Sequence, residues 1–178
     1  NRVTFGTAEA ETVLKHDRRP LGAAPLRLRN RLLRPWFGAV TGIRTSENVA
    51  AITFDDGPNP LVTPRILAMF ERHGAKATHF MIGDLAQRLP DLVGETLGHG
   101  HVVAGHSFDH PSLVRLDAGQ RKDQIERGQR ALGDGAAPFF RPPYGHFDLP
   151  TARSIRAAGL TAVTWTRHCL DWEAHDAA

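Results

Sequence analysis

With a single cysteine, Cys169, in 178 residues, the chain has no intrachain disulfide and no all-cysteine zinc site. Cys169 follows His168, but neighbours along a strand face opposite ways, so it reads as structural rather than as an activated nucleophile. No window approaches eighteen consecutive apolar residues, which excludes a spanning helix. The first twenty residues are polar and lack the apolar core of a secretory leader, and the chain does not begin with Met. Both a cytoplasmic and a processed exported protein stay open. There is no internal repeat of 20–50 residues and no low-complexity tract.

What is present is an ordinary globular composition, 41% apolar and 23% charged, in a chain long enough for one domain with its own core. The net charge of +3 is unevenly spread: residues 1–48 hold nine Lys or Arg against four acids. Within them "LRLRNRLLRPWF" has the charge of a basic amphipathic stretch. It reads as a solvated segment whose Leu26, Leu28, Leu32 and Leu33 pack on the domain, with contact to an anionic membrane the lesser reading. Its aromatics come only at the end, which argues against nucleic acid. Pro20, Pro25 and Pro35 break any long helix there, so residues 1–48 are expected to be a basic N-terminal extension.

Regular patterning begins at "NVAAITF", a short apolar run that predicts a buried strand. "TPRILAMFERHG" predicts a helix with Thr63 as N-cap, Pro64 in the first turn and Gly74 at the end. Strands follow at "KATHFMIG", "HVVAGH", "PFFRPPYG" and "TAVTWT". Helices lie between them, one interrupted at Pro90. Five strands alternating with helices through short connections argue for a parallel α/β sheet, and pattern alone leaves a barrel and an open sheet equal. In either, sites form at the carboxyl ends of the strands. There the chain places Asp55-Asp56-Gly57, "HSFDH", "RPPYG" and "RHCLDW".

Two adjacent carboxylates at a strand end repel, and burial worsens the repulsion. His106 and His110, at i and i+4, would face the same way on one helical turn, although Pro111 follows directly. Together with a carboxylate from another strand end they make a two-histidine, one-carboxylate metal site with open positions for water. One of Asp55 and Asp56 would ligate the ion and the other would serve as base, so both could stay ionised. A phosphoryl-transfer aspartate motif does not fit, because its two aspartates are separated by one residue and a Thr follows its Gly.

"TFDDGP", "HSFDHP", "RPPYG" and the later "DW", in this order across residues 49–172, resemble the successive motifs of the polysaccharide deacetylase family with a NodB homology domain (carbohydrate esterase family 4). The resemblance implies a distorted (β/α) barrel over residues 49–178 and metal-dependent removal of acetyl groups from a glycan. The amide of an amino-sugar oligo- or polysaccharide, of chitooligosaccharide or peptidoglycan type, leads. An O-acetyl esterase of xylan type and a truncated, non-catalytic carbohydrate- or metal-binding module are the alternatives. Carried onto this chain, Asp55 is the base and Asp56, His106 and His110 hold one divalent ion, usually zinc, sometimes cobalt. Arg141 orients Asp55, the Tyr144 N–H binds the oxyanion, Trp172 walls the acetyl pocket and Asp171 polarises a C-terminal histidine. Acetylated glycan is the implied partner; oligomeric state is left open.

Three departures stand out. Asp109 precedes the second histidine and reads as a solvated loop acid. His79 stands where the family has an aromatic and reads as a partly exposed strand histidine. The family's last motif, an apolar run ending in Leu-x-x-His, is expected several tens of residues after "DW", whereas the sequence stops at Ala178. His175 has no apolar strand before it, so the general acid and the last barrel strands are expected beyond this sequence.

Overall fold

Short apolar runs bounded by turn residues become the strands of one parallel sheet in the computed structural model, which describes residues 38–42, 45, 46 and 48–169. In chain order the elements are β1 (Thr53–Gly57), α1 (Thr63–Arg72), β2 (Thr78–Met81), α2 (Gly83–Arg88), α3 (Pro90–Gly98) and β3 (Val102–Gly105). A 3₁₀ turn (Leu113–Arg115), α4 (Ala118–Ala131), β4 (Phe139–Phe140), a second 3₁₀ turn (Pro143–Gly145), α5 (Leu149–Ala157) and β5 (Thr161–Ala162) complete the set. The spatial order is β1-β2-β3-β4-β5 with every pairing parallel, the arrangement that helical crossovers require. Among the described residues the sheet stays open, with β1 at one edge. At the other edge Val40 pairs in parallel with Val163: its N–H donates to Ala162 O (2.8 Å) and its carbonyl accepts from Thr164 N–H (2.9 Å). The leucine-rich basic segment lies outside the described residues. Among the described residues no helix is long and apolar enough to cross a membrane.

Helix ends follow their local chemistry. Asp117 caps α4 through a reciprocal capping box with Gln120, and Asp148 accepts from Thr151 N–H at the start of α5. Pro90 begins α3, as its missing N–H favours. Thr63 is not the cap of α1: its hydroxyl accepts from Asn59 N–H while the Asn59 side chain accepts from Leu61 and Val62 N–H, so an Asx turn starts the helix. Gly74, with φ +59°, closes it.

Two apolar clusters flank the sheet. Met81, Ala86, Val93, Val103 and Leu132 form one; Leu113, Ile125, Phe140, Ile155, Leu160 and Ala162 form the other. Strand alternation puts His79 on the same side of β2 as Met81. It is 3% exposed, stacked on Phe54 and beside His101, so it belongs to the core and not to the partly exposed surface its polarity suggests. Ala77 N–H donates to His101 Nδ1 (3.3 Å), so that nitrogen is an acceptor, and the His79 Nε2 at 3.1 Å must carry the proton it shares. With Nδ1 kept as an acceptor, the His101 ring is held neutral. Burial, reinforced by His101, pushes His79 down to about 4 from 6.5.

Between these values the unfolded chain binds the proton that the folded chain refuses. Stability therefore rises with pH through this window: the contribution of neutral His79 is complete above pH 6.5 and lost as pH falls toward 4, by up to about 3 kcal/mol. Urea unfolding at a series of pH values should show this slope in the wild type and a shallower one in His79→Leu; equal slopes would remove the account.

Candidate metal centre and active site

Adjacent residues on a regular strand point to opposite faces, yet Asp55 and Asp56 both serve one rim. A β-bulge makes this possible. Phe54 pairs with His79 and Gly57 with Met81, so three steps along β1 pass two along β2. Asp56 occupies the extra position with φ +66°. The strand thus runs further than the apolar pattern implies and carries both carboxylates within it. Asp55 turns toward Arg141, and Asp56 turns toward His106 and His110.

The histidines come together without a helix. His106 follows β3 directly, and the chain then turns through Ser107 (φ +67°) and reaches His110 (φ +64°). This loop is held by its own hydrogen bonds and by α4. Ser107 Oγ accepts from His110 N–H (3.0 Å), Ser107 O from Gly83 N–H (2.9 Å) and Phe108 O from Asp84 N–H (2.8 Å). The Gln124 carbonyl oxygen accepts from both Phe108 and Asp109 N–H, each at 3.1 Å. Gly128 lets α4 approach: a Cβ there would lie 2.6 Å from the Ser107 carbonyl carbon. Gln124 and Gly128 were not legible as site residues; a glycine inside an otherwise helical pattern was the available signal.

Asp56 Oδ1 lies 3.4 Å from His106 Nε2 and 3.1 Å from His110 Nε2, and the candidate ligand atoms all lie within 4.8 Å of one another. Two ligands at about 2.1 Å from a tetrahedral zinc are themselves about 3.4 Å apart, so the two carboxylate–imidazole spacings fit. The donor chemistry fits as well. His106 Nδ1–H donates to Arg141 O at 2.6 Å, which fixes the tautomer and turns the Nε2 lone pair toward an acceptor, the Asp56 carboxylate. Two facing acceptors are satisfied by a cation between them or by a charged imidazole. When the imidazoles carry the proton instead, hydrogen bonds from His106 and His110 hold the Asp56 carboxyl well below the usual carboxylate range, against the opposing effect of burial.

Arg141 follows β4 and is 3% exposed. Its Nη1 donates to Asp55 Oδ1 (2.6 Å) and Thr53 Oγ1 (2.8 Å), and its guanidinium lies 3.9 Å over the Phe80 ring. Burial lowers its pKa and the Asp55 carboxylate opposes that shift. Tyr144, with φ +59°, sets its ring edge against His110 at 4.6 Å between centroids. Trp165, after β5, packs on the same loop so closely that a Cβ on Gly145 would meet its ring at 2.6 Å. This tryptophan was also not legible as a site neighbour. The structure brings Asp55, Asp56, His106, His110, Arg141 and Tyr144 to one rim. Asp171, Trp172 and His175 lie outside the described residues. Asp109 is exposed, as expected of a loop acid.

Gly128→Ala should push α4 away from the ligand loop. The expected outcome is destabilisation of about 1–3 kcal/mol, as for overpacking, together with weaker divalent-cation binding, if the site takes one, by titration. Unchanged affinity would show that the loop does not depend on this approach.

The sequence matches the family described as polysaccharide deacetylase over residues 42–163. It is 35% identical over 142 residues to a chitooligosaccharide deacetylase of Azorhizobium caulinodans, covering 78% of this chain and 68% of that protein. It is 37% identical over 137 residues to the peptidoglycan-N-acetylglucosamine deacetylase PgdA of Listeria monocytogenes, covering 75% of this chain but 28% of that protein. Among solved structures, the family 4 carbohydrate esterase of Streptomyces lividans in complex with acetate superposes with a TM-score of 0.63 at 36% identity, covering 65% of this chain and 62% of that one. The chain thus spans between about a quarter and two thirds of the length of these relatives. With the parallel α/β sheet, the four motifs in order and this match, the chain belongs to the polysaccharide deacetylase family, the NodB homology domain of carbohydrate esterase family 4.

Proposed function

We propose that this chain is a metal-dependent hydrolase that removes N-acetyl groups from an amino-sugar oligo- or polysaccharide, acting on a carbon–nitrogen bond that is not a peptide bond. The observation that carries the reading is the convergence of Asp56, His106 and His110 beside a second carboxylate, Asp55, held by a buried arginine. Asp56, His106 and His110 would hold one divalent ion; two nitrogens and one carboxylate oxygen suit zinc, with cobalt a further candidate. Such an ion supplies Lewis-acid polarisation of the acetyl carbonyl and lowers the pKa of water.

The remaining work falls to the chain's own side chains. Arg141 takes Asp55 Oδ1, leaving the other carboxylate oxygen to accept a proton from the attacking water. The Tyr144 N–H is assigned to the developing oxyanion, a donor whose loss costs roughly 3 kcal/mol. Trp172 as a wall of the acetyl pocket and Asp171 as partner of a C-terminal histidine acid rest on the family resemblance. The named relatives support chitooligosaccharide and peptidoglycan as substrate classes. The likeness to a carbohydrate esterase bound to acetate supports a second reading, hydrolysis of O-acetyl esters, whose leaving groups depend less on an acid.

Acetate release from an N-acetylglucosamine tetramer, measured beside metal content, tests the division of labour. Asp55→Asn should lower the rate by about 10²–10⁴-fold with metal retained, the scale of general-base catalysis. Asp56→Asn and His110→Ala should lose the metal itself. Chelation should abolish activity, and added zinc or cobalt should restore it. Equal metal loss in Asp55→Asn and Asp56→Asn would sink the assignment.

A further inference from the structure

Beside the metal centre lies a cavity of about 480 Å³, lined by Pro111, Ser112, Arg115, Leu116, Tyr144 and His146. The volume falls within the range of small-ligand sites, roughly 300–1,000 Å³. It adjoins the reaction centre through two residues: Pro111 follows the ligand His110, and Tyr144 packs its ring on that histidine. Pro111, Leu116 and Tyr144 offer apolar faces of the kind that the C–H surfaces of a pyranose cover.

The one fully charged side chain of the lining is the Arg115 guanidinium. No carboxylate lines the cavity, while Arg115 and His146 do. Arg115 forms no ion pair with any described residue. The nearest acids along the chain are turned elsewhere: Asp117 caps α4 and Asp148 caps α5. Beneath the wall, the buried Arg121 donates to the carbonyls of Leu113 (3.1 Å) and Leu116 (2.6 Å), which pins the turn that carries Arg115 and adds a second guanidinium without a carboxylate. His146 is held by Ser112, whose hydroxyl lies 2.9 Å from Nδ1. Its other ring nitrogen is the polar atom left to a ligand.

Resting on the deacetylase reading and refining it, we propose that this cavity is a subsite for a sugar neighbouring the one that is deacetylated, and that Arg115 and His146 make it select a sugar bearing a carboxylate over a neutral one. A glycan of alternating neutral and lactyl-ether sugars, as in peptidoglycan, meets this requirement; a homopolymer of N-acetylglucosamine does not. Arg115 and His146 are specificity residues here and take no part in bond breaking.

The test is a binding comparison on the zinc-loaded chain. The probes are a peptide-free tetrasaccharide of alternating N-acetylglucosamine and N-acetylmuramic acid, and the same tetrasaccharide with its carboxyls reduced to alcohols. At low salt the wild type should bind the carboxylated form about fivefold more tightly, the scale of a charge-assisted contact at a partly exposed site. The ratio should shrink as salt rises. Arg115→Gln should bring it close to one, and Arg115→Lys should restore most of it; His146→Gln should reduce it in part. A wild-type ratio near one at low salt, or an unchanged ratio in Arg115→Gln, would overturn the proposal. Acetate release from the two glycans is measured separately. Its absence from both would overturn the deacetylase reading and leave the binding ratio to decide the subsite.

Discussion

Arg141 joins the two halves of the site. Its backbone carbonyl fixes the tautomer of His106, and its guanidinium fixes Asp55 and Thr53. One residue at the end of β4 therefore sets the lone pair of a candidate metal ligand and the orientation of a candidate base. It is able to do so because it is buried, with its guanidinium over Phe80. A lysine would bring one flexible point charge to the same place and could not span Asp55, Thr53 and the Phe80 face together. Burying the cation carries a desolvation cost, and the Asp55 carboxylate at 2.6 Å offsets part of it.

The rim around Arg141 is held in backbone conformations that L-residues rarely adopt. Asp56, Ser107, His110 and Tyr144 all have positive φ, and none is glycine. Each such residue costs about 1 kcal/mol or more. They cluster where side chains must be re-aimed: Asp56 across the bulge, His110 back toward His106, Tyr144 over His110. The opposing term is the dense hydrogen bonding of the loop, from Ser107, Gln124 and the N–H groups of α2. The strain and its support lie within one stretch of structure, so the ligand geometry is set before any ligand arrives.

Separation of charge organises the surroundings. The opposing demands on two adjacent aspartates are met by sending one to a cation of the protein and the other to a pair of imidazoles. The groove next to them is lined by the Arg115 guanidinium and by no carboxylate, while Asp117 and Asp148 are engaged at helix N-termini. Away from the rim, the same chain buries a neutral histidine pair behind the sheet, where each ring has an assigned tautomer and charging either would place a cation in the core.

Much of this was legible in the residues themselves. Apolar runs between Gly and Pro signals located all five strands, Pro90 located a helix start, and the four motifs placed Asp55, Asp56, His106, His110, Arg141 and Tyr144 on one rim. These features are local, so the sequence alone determined them: periodicity and turn chemistry act over a few residues. The rest depended on contacts between distant segments. The extra residue of the β1 bulge appears only against β2, and the histidines converge through left-handed turns that α4 supports rather than through a helix. The burial of His79 follows from Phe54 and His101 closing over it. The tautomer of His106 was decided by a carbonyl 35 residues away, since a hydrogen bond across a sheet has no signature in either strand until the strands are paired.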